Sequence, residues 1–426
     1  MTAITAIKPV SRAATVQKVR SPGGIEAWLV EDYAVPLVAI DFSFKGGAAQ
    51  DPQGKAGTSA MMASLLDEGA GDLDSEGFHR ALDDRAIEIS FGADRDAVSG
   101  RLKTLSRSVE EAVDLLRLAV NAPRFDADAV DRVRAQITAS FRREAKDPDS
   151  LAGRGWRESA FPGHPYGQAV RGTAESLAGV SRTDLVDMYG RTLSRRDLKI
   201  AAVGAIDAAK LGQMLDRAFG DLAFGGALAA VAPVEVAAGG APQIIDLDIP
   251  QSTIRFGLPG IPRRDPDHMA AVVVNHILGG GVFSARLFRE VREKRGLAYS
   301  VYSHLSTFDR TSIFGGGTST KNERAKESLD VIAEQIHDLA TDGPTADELD
   351  KAKKFLTGSY ALRFDTSLKI ASQLVNLQTE GFDVSYLDER NGMIEAVTLD
   401  DAKRVGARML GSGPLLTTIV GRPEGF

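Results

Sequence analysis

Residues 278–303 read LGGGVFSARLFREVREKRGLAYSVYS and gather the groups in this chain best suited to chemistry. A glycine triplet opens a charged helix, which ends near Gly296, a natural C-cap residue. A strand rich in Tyr and Val follows. This order sets Arg292 in the last helical turn, where a cation complements the helix dipole, and Tyr299 just inside the strand. The turn between them can bring a guanidinium and a phenol to one surface, and both donate hydrogen bonds to a carbonyl oxygen. Each residue also has an ordinary reading. Arg286, Arg289, Arg292, Lys294 and Arg295 alternate with Glu290 and Glu293, and such a run by itself is a solvated helix face laced with salt bridges. Tyr299 by itself is a strand tyrosine packed on a helix. The seven-residue interval and the string around it favour the functional pair.

Other chemistry is scarce. Zero cysteines exclude disulfides, thiol nucleophiles and thiolate metal sites together. No serine stands in a G-x-S-x-G context. The six histidines are His79, His164, His268, His276, His304 and His337. Two imidazoles converge on one ion from positions i and i+4 of a helix, and no two of these have that spacing. Gly279 to Gly281 is followed by no phosphate-binding pattern and reads as a tight turn or helix entry. Gly315 to Gly317 reads as a strand bulge or close packing point. His164, between Pro162 and Pro165, reads as a structural loop residue, and Met61-Met62 as core packing.

The elements that must position these groups repeat along the chain. Val35-Pro36, Phe42 and Asp51-Pro52 recur 214 residues later as Ile249-Pro250, Phe256 and Asp265-Pro266. Ala112 to Leu115 recurs 216 later, Ala127-Asp128 219 later, and Val203-Gly204 217 later. Chance similarity scatters offsets, so a shared offset indicates duplication. Two homologous domains are expected over 14–222 and 243–426, joined by a linker over 223–242 that is dominated by Gly, Ala and Pro. In the first, strands are expected over 25–30, 37–44, 87–91, 97–104 and 198–203. Residues 37–44 alternate so that one face is apolar, as in a half-buried strand. Helices are expected over 58–66, 109–120 and 127–145, with Asp126 or Asp128 as N-cap of the last. Val109, Ala112, Val113, Leu116 and Val120 form one apolar stripe. The expected class is α+β, each domain a mainly antiparallel sheet with helices packed on one side.

Composition narrows the function. A net charge of −7 lacks the basic footprint of a nucleic-acid binder. No stretch approaches the roughly 20 apolar residues of a membrane span, so no membrane insertion is expected. Residues 1–20 lack an apolar leader core of about 7–15 residues. The expected compartment is cytoplasmic if this N-terminus is native, and periplasmic if a leader has been removed.

The string LFREVREKRGLAYSVYS resembles the arginine/tyrosine segment in the second domain of the insulinase-like (pitrilysin-type) zinc metallopeptidases. FPGHPYG at 161–167, Gly172, the strand ending Val203-Gly204 and the duplication resemble that family as well. In the family, two such halves face a related pair and enclose a peptide-degrading chamber. Active members carry HxxEH in the first domain, two His and a later Glu binding zinc while the motif Glu acts as general base. Alignment from Gly54-Lys55-Ala56-Gly57 puts Ala60, Ala63 and Ser64 at those positions, and the stretch Arg132 to Phe141 holds no Glu for the third ligand. The resemblance therefore implies no zinc in this chain and a non-catalytic subunit. Its partner would be a homologous HxxEH-bearing chain with the zinc, the two forming a heterodimer that acts on peptides. Arg292 and Tyr299 would contact substrate beside the partner's zinc. The rival reading is a purely structural subunit like the core proteins of a respiratory complex, which share the scaffold. A third is an independent enzyme or peptide-binding chaperone with a new site.

Overall fold

The structure, a computed structural model, describes residues 15–426. Residues 1–14, most of the stretch read above for a leader, lie outside the described residues. The first sheet contains β1 (Gln17–Arg20), β2 (Glu26–Glu31), β3 (Leu37–Lys45), β4 (Glu88–Ala93), β5 (Ala97–Leu105) and β6 (Lys199–Gly204), in the order β1-β2-β6-β3-β5-β4. The second contains β7 (Gln243–Ile245), β8 (Gln251–Pro259), β9 (Ala298–Thr307), β10 (Ser312–Lys321) and β11 (Leu416–Val420), in the order β7-β11-β8-β10-β9. Pairing is antiparallel except for β2 with β6 and β7 with β11. The fold is α+β.

Segments related by the repeat fold alike. Phe42 lies in β3 and Phe256 in β8, and the helices Val109–Asn121 and Ala325–Thr341 carry Ala112 to Leu115 and Ser328 to Val331. The match extends to atomic packing. Phe42 packs against Gly100 of β5, and Phe256 against Gly316 of β10; a Cβ on either glycine would come within 2.3 Å of the ring. Close packing therefore explains the middle of the glycine triplet in β10. The N-cap expectation at Asp126 differs in detail. Asp126 occupies the N-cap of the helix Ala127–Glu144, but its carboxylate accepts from Arg124 Nε at 2.6 Å rather than from the helix backbone.

Strand β3 is buried on both faces rather than one, because each sheet takes a helix from the other half. Val38, Ile40, Phe42 and Phe44 enter the first core. Asp41 and Ser43 on the other face are also buried, Asp41 paired with Arg101 at 3.0 Å. The helix Ser367–Thr379 from the second half packs there, against β3 and β6. The alternation along β6 records the division. Ile200 and Ala202 belong to the first core, while Ala201 and Val203 meet Ala371, Leu374 and Val375 of that helix.

The exchange is reciprocal. The helix Pro148–Ala160 of the first half packs on β8 and β11. Gly257 of β8 leaves space for the Trp156 ring, and Trp156 Nε1 donates to Leu416 O at 2.9 Å. Residues 161–167 strengthen the joint. Tyr166 is fully buried; its hydroxyl donates to Asp96 and accepts from the Arg310 amide at 3.1 Å. His164 staples this loop, accepting from the Tyr166 amide at 3.1 Å while its other ring nitrogen meets Ala232 O at 3.1 Å. The stretch 225–242 has no helix or strand but is strapped down, with the Gln50 side-chain amide bonding both the N–H and the C=O of Ala229. Among the described residues no helix is long and apolar enough to cross a membrane.

Truncating the exchanged tryptophan should loosen both halves together. Trp156→Ala removes a buried ring and its hydrogen bond, and an expected loss of about 3–5 kcal/mol is measurable by urea unfolding. A loss below about 1 kcal/mol would show that the exchanged helix contributes little.

Candidate functional site

The segment around Arg292 is built from wide helical turns. His276–Gly280 and Phe288–Glu293 are both π-helical, and the Lys294 amide bonds to Arg289 O, five residues back. The glycine triplet thus closes one π turn instead of opening the charged helix. Such turns concentrate at functional sites. Gly296 ends the segment at φ +58°, a conformation that suits glycine, and its amide returns to Arg292 O at 3.0 Å.

Glu290 organises the charges. It is buried and accepts from Arg289 Nε at 3.1 Å, Lys294 Nζ at 2.8 Å and Arg295 Nη1 at 2.9 Å. Burial alone would raise its carboxyl, but the three cations outweigh it and hold it at about 2. Arg286 forms a two-pronged pair with Glu348 at 2.7 Å for each bond. Four of the five cations in the run are therefore paired with carboxylates.

Arg292 differs. Its guanidinium makes no hydrogen bond or ion pair among the described residues. Its guanidinium carbon stands 4.8 Å from the centroid of Phe288 and 4.4 Å from that of Tyr299. Stacking between two rings orients the guanidinium while leaving its N–H groups free. Tyr299 is 81% exposed, and its hydroxyl has no hydrogen-bond partner among the described residues. A bulge aims it. Thr318 faces Val301 and Thr320 faces Ala298, so Tyr299 and Ser300 together oppose Ser319 alone. β9 is also the edge strand of its sheet. The structure thus brings the two residues into contact as a cluster of unspent donors beside an open strand edge. Donors held in place can stabilise a carbonyl oxygen or an oxyanion.

The positions of the degenerate motif lie in the first half. Thr58–Ala63 is helical and Ser64 is its C-cap. Ala63 is fully buried, Ala60 nearly so, and the Ser64 hydroxyl donates back to Ala60 O at 2.9 Å. The helix entry is held by Asp51, which accepts from the Gly57 amide at 2.6 Å, the Ser59 amide at 2.8 Å and Ser59 Oγ at 2.6 Å. Burial pushes Asp51 up to about 6 despite these bonds. In the helix Ala127–Glu144, Arg132 pairs with Glu68, and Glu144 pairs with Arg171. Among the described residues no three His, Asp or Glu side chains are grouped to hold a metal. Methyl groups and a self-satisfied hydroxyl do not fit a zinc ion.

Sequence reasoning missed Phe288, and it placed Glu290 on a solvated, salt-bridged helix face without giving it the organising role. The signal was present: Phe288 stands four residues before Arg292, and Glu290 four before Lys294, spacings that meet on a helix face.

The chain is similar to known proteins over most of its length. Residues 29–174 match the family described as insulinase (peptidase family M16), and residues 179–356 match the peptidase M16 inactive domain. A non-peptidase homologue from Helicobacter pylori is 28% identical over 373 residues, 87% of this chain and 86% of its own length. An uncharacterised zinc protease from Streptomyces coelicolor is 25% identical over 424 residues, 97% of this chain and 92% of its own. A crystal structure of a peptidase M16 inactive domain from Pseudomonas fluorescens has a TM-score of 0.89 at 27% identity, covering 96% of this chain and 98% of that one.

The Glu290 cluster carries a pH signature. Its folded-state carboxyl, at about 2, lies below the ordinary 4.5, so its stabilisation is complete above the ordinary value and disappears as pH falls through the folded one. At pH 7, Glu290→Gln should lose about 1.5–3 kcal/mol in chemical denaturation. The gap to the parent should narrow as the pH is lowered from 5 toward 3. A gap independent of pH would mean that the carboxylate charge is not what holds the segment.

Proposed function

From the premise that this chain belongs to the insulinase family of M16 peptidases and lacks its metal-binding motif, we propose that it is the substrate-contacting, non-catalytic subunit of a two-chain peptidase. The partner in this reading is a homologous HxxEH-bearing chain that holds the zinc. The observation that carries the proposal is Arg292. Every other cation of its run is paired with an acid, whereas Arg292 is stacked on the exposed Tyr299 and keeps its donors free. A surface arginine serving only solubility has no need of such ordering.

The chemistry assigned to this chain is binding and orientation. An extended peptide laid along the open edge of β9 presents carbonyl oxygens to the guanidinium and the phenol. Donors fixed before the peptide arrives cost no reorganisation and strengthen as negative charge develops on the oxygen. The non-peptidase naming of the H. pylori relative supports the absence of catalysis in the isolated chain.

The pair purified with its partner supplies the test. Arg292→Ala and Tyr299→Phe should each lower kcat/KM for a quenched-fluorescent peptide at least about tenfold, ~1.4 kcal/mol, with thermal unfolding and pairing unchanged. Unchanged kinetics in an intact pair would remove the assigned role and leave the purely structural reading.

A further inference from the structure

Beneath the Arg292 segment lies a cavity of about 250 Å³, lined by His276, Ile277, Phe283, Ser284, Arg289 and Glu293 and by the first turns of the helix Ala346–Gly358. His276 forms part of its wall. It is 6% exposed and stacks on Phe355 at 4.9 Å, yet neither ring nitrogen has a hydrogen-bond partner among the described residues. Its nitrogens are not among the sealed, partnerless polar atoms of the described residues, so they keep some access to solvent and a group entering the cavity can reach them. Phe283, by contrast, is 73% exposed and sits edge-on to Phe288 at 5.2 Å, the same ring that stacks under Arg292. The charged rim is largely self-neutralised: Arg289 pairs with Glu290, Lys351 with Asp347, and Glu348 with Arg286, leaving Glu293 solvated.

We propose that this cavity is a side-chain pocket for a single aromatic residue bearing one hydrogen-bonding group, tyrosine foremost, of a bound peptide. The volume suits one large side chain and excludes a folded element. Phe283 offers an aromatic contact, and His276 offers a partner to a phenol O–H. Burial lowers the His276 pKa and so favours the neutral imidazole, which can accept. The balanced rim gives little reward to a charged side chain. That a peptide supplies the tyrosine rests on the reading of Arg292 and Tyr299 above; the pocket and its selectivity do not.

The experiment uses the full chain labelled with 15N-histidine and titrated with p-cresol, with toluene and with p-toluenesulfonate. p-Cresol should shift the His276 ring resonances saturably and bind about tenfold tighter than toluene, the worth of one hydrogen bond. The sulfonate should bind no better than toluene. His276→Phe keeps a flat ring against Phe355 and should abolish the preference for p-cresol. Phe283→Ala, a change at an exposed position, should weaken p-cresol and toluene alike. Arg292→Ala should leave all three affinities intact, so a failure of the Arg292 role and a failure of the pocket are distinguishable. Equal binding of p-cresol and toluene, or no saturable shift at His276, would overturn the proposal.

Discussion

Each sheet in this protein has a face that its own half leaves bare, and the two halves cover those faces for each other. The helix Ser367–Thr379 lies on the first sheet and Pro148–Ala160 on the second. Burial of apolar area is the main favourable term in folding, and here part of it exists only when both halves are present. Tyr166, Asp96 and the backbone of Asp309 and Arg310 add a partly exposed polar seam to the same joint. The exchange explains why β3 and β6 are buried on both faces, and why glycines stand where an exchanged helix presses on the sheet, as Gly257 does under Trp156.

The scaffold bears the missing metal motif without visible strain. Asp51 anchors the start of the helix that would carry the ligands, and Arg132 ties the neighbouring helix to Glu68 and Ser75. Order around this region therefore comes from hydrogen bonds and ion pairs of the chain itself. In the second half, Glu290 gathers three cations into one cluster and Glu348 takes a fourth. Arg292 pairs with neither Glu290 nor Glu348, and its guanidinium is held by rings alone.

Much of this was legible in the sequence. The alternation over 37–44 and the stripe over 109–120 each led to the right element, because side-chain period follows backbone geometry directly. The shared offset of the repeat foreshadowed two sheets with matching packing, down to Phe42 on Gly100 and Phe256 on Gly316. The seven-residue interval between Arg292 and Tyr299 indicated a shared surface, and the rings and guanidinium do meet. The exchanged helices were not legible. Period says that a helix has an apolar face and nothing about which sheet it will cover. The π turns were hidden too, since they differ from an α-helix by one residue of hydrogen-bond register, and the bulge opposite Ser319 depends on pairing between distant strands. The cavity at His276 is assembled from residues more than 60 positions apart, which no local pattern records.

The central claim is that this chain contributes to peptide cleavage only through another chain. Zinc content and digestion of a quenched-fluorescent peptide, measured on the same samples, test it most directly. One sample is this chain alone; the others are an HxxEH-bearing homologue from the same source, alone and mixed with it. The account predicts neither stoichiometric zinc nor cleavage for this chain alone, and cleavage by the mixture well above that of the homologue alone. Zinc-dependent cleavage by this chain alone would contradict it.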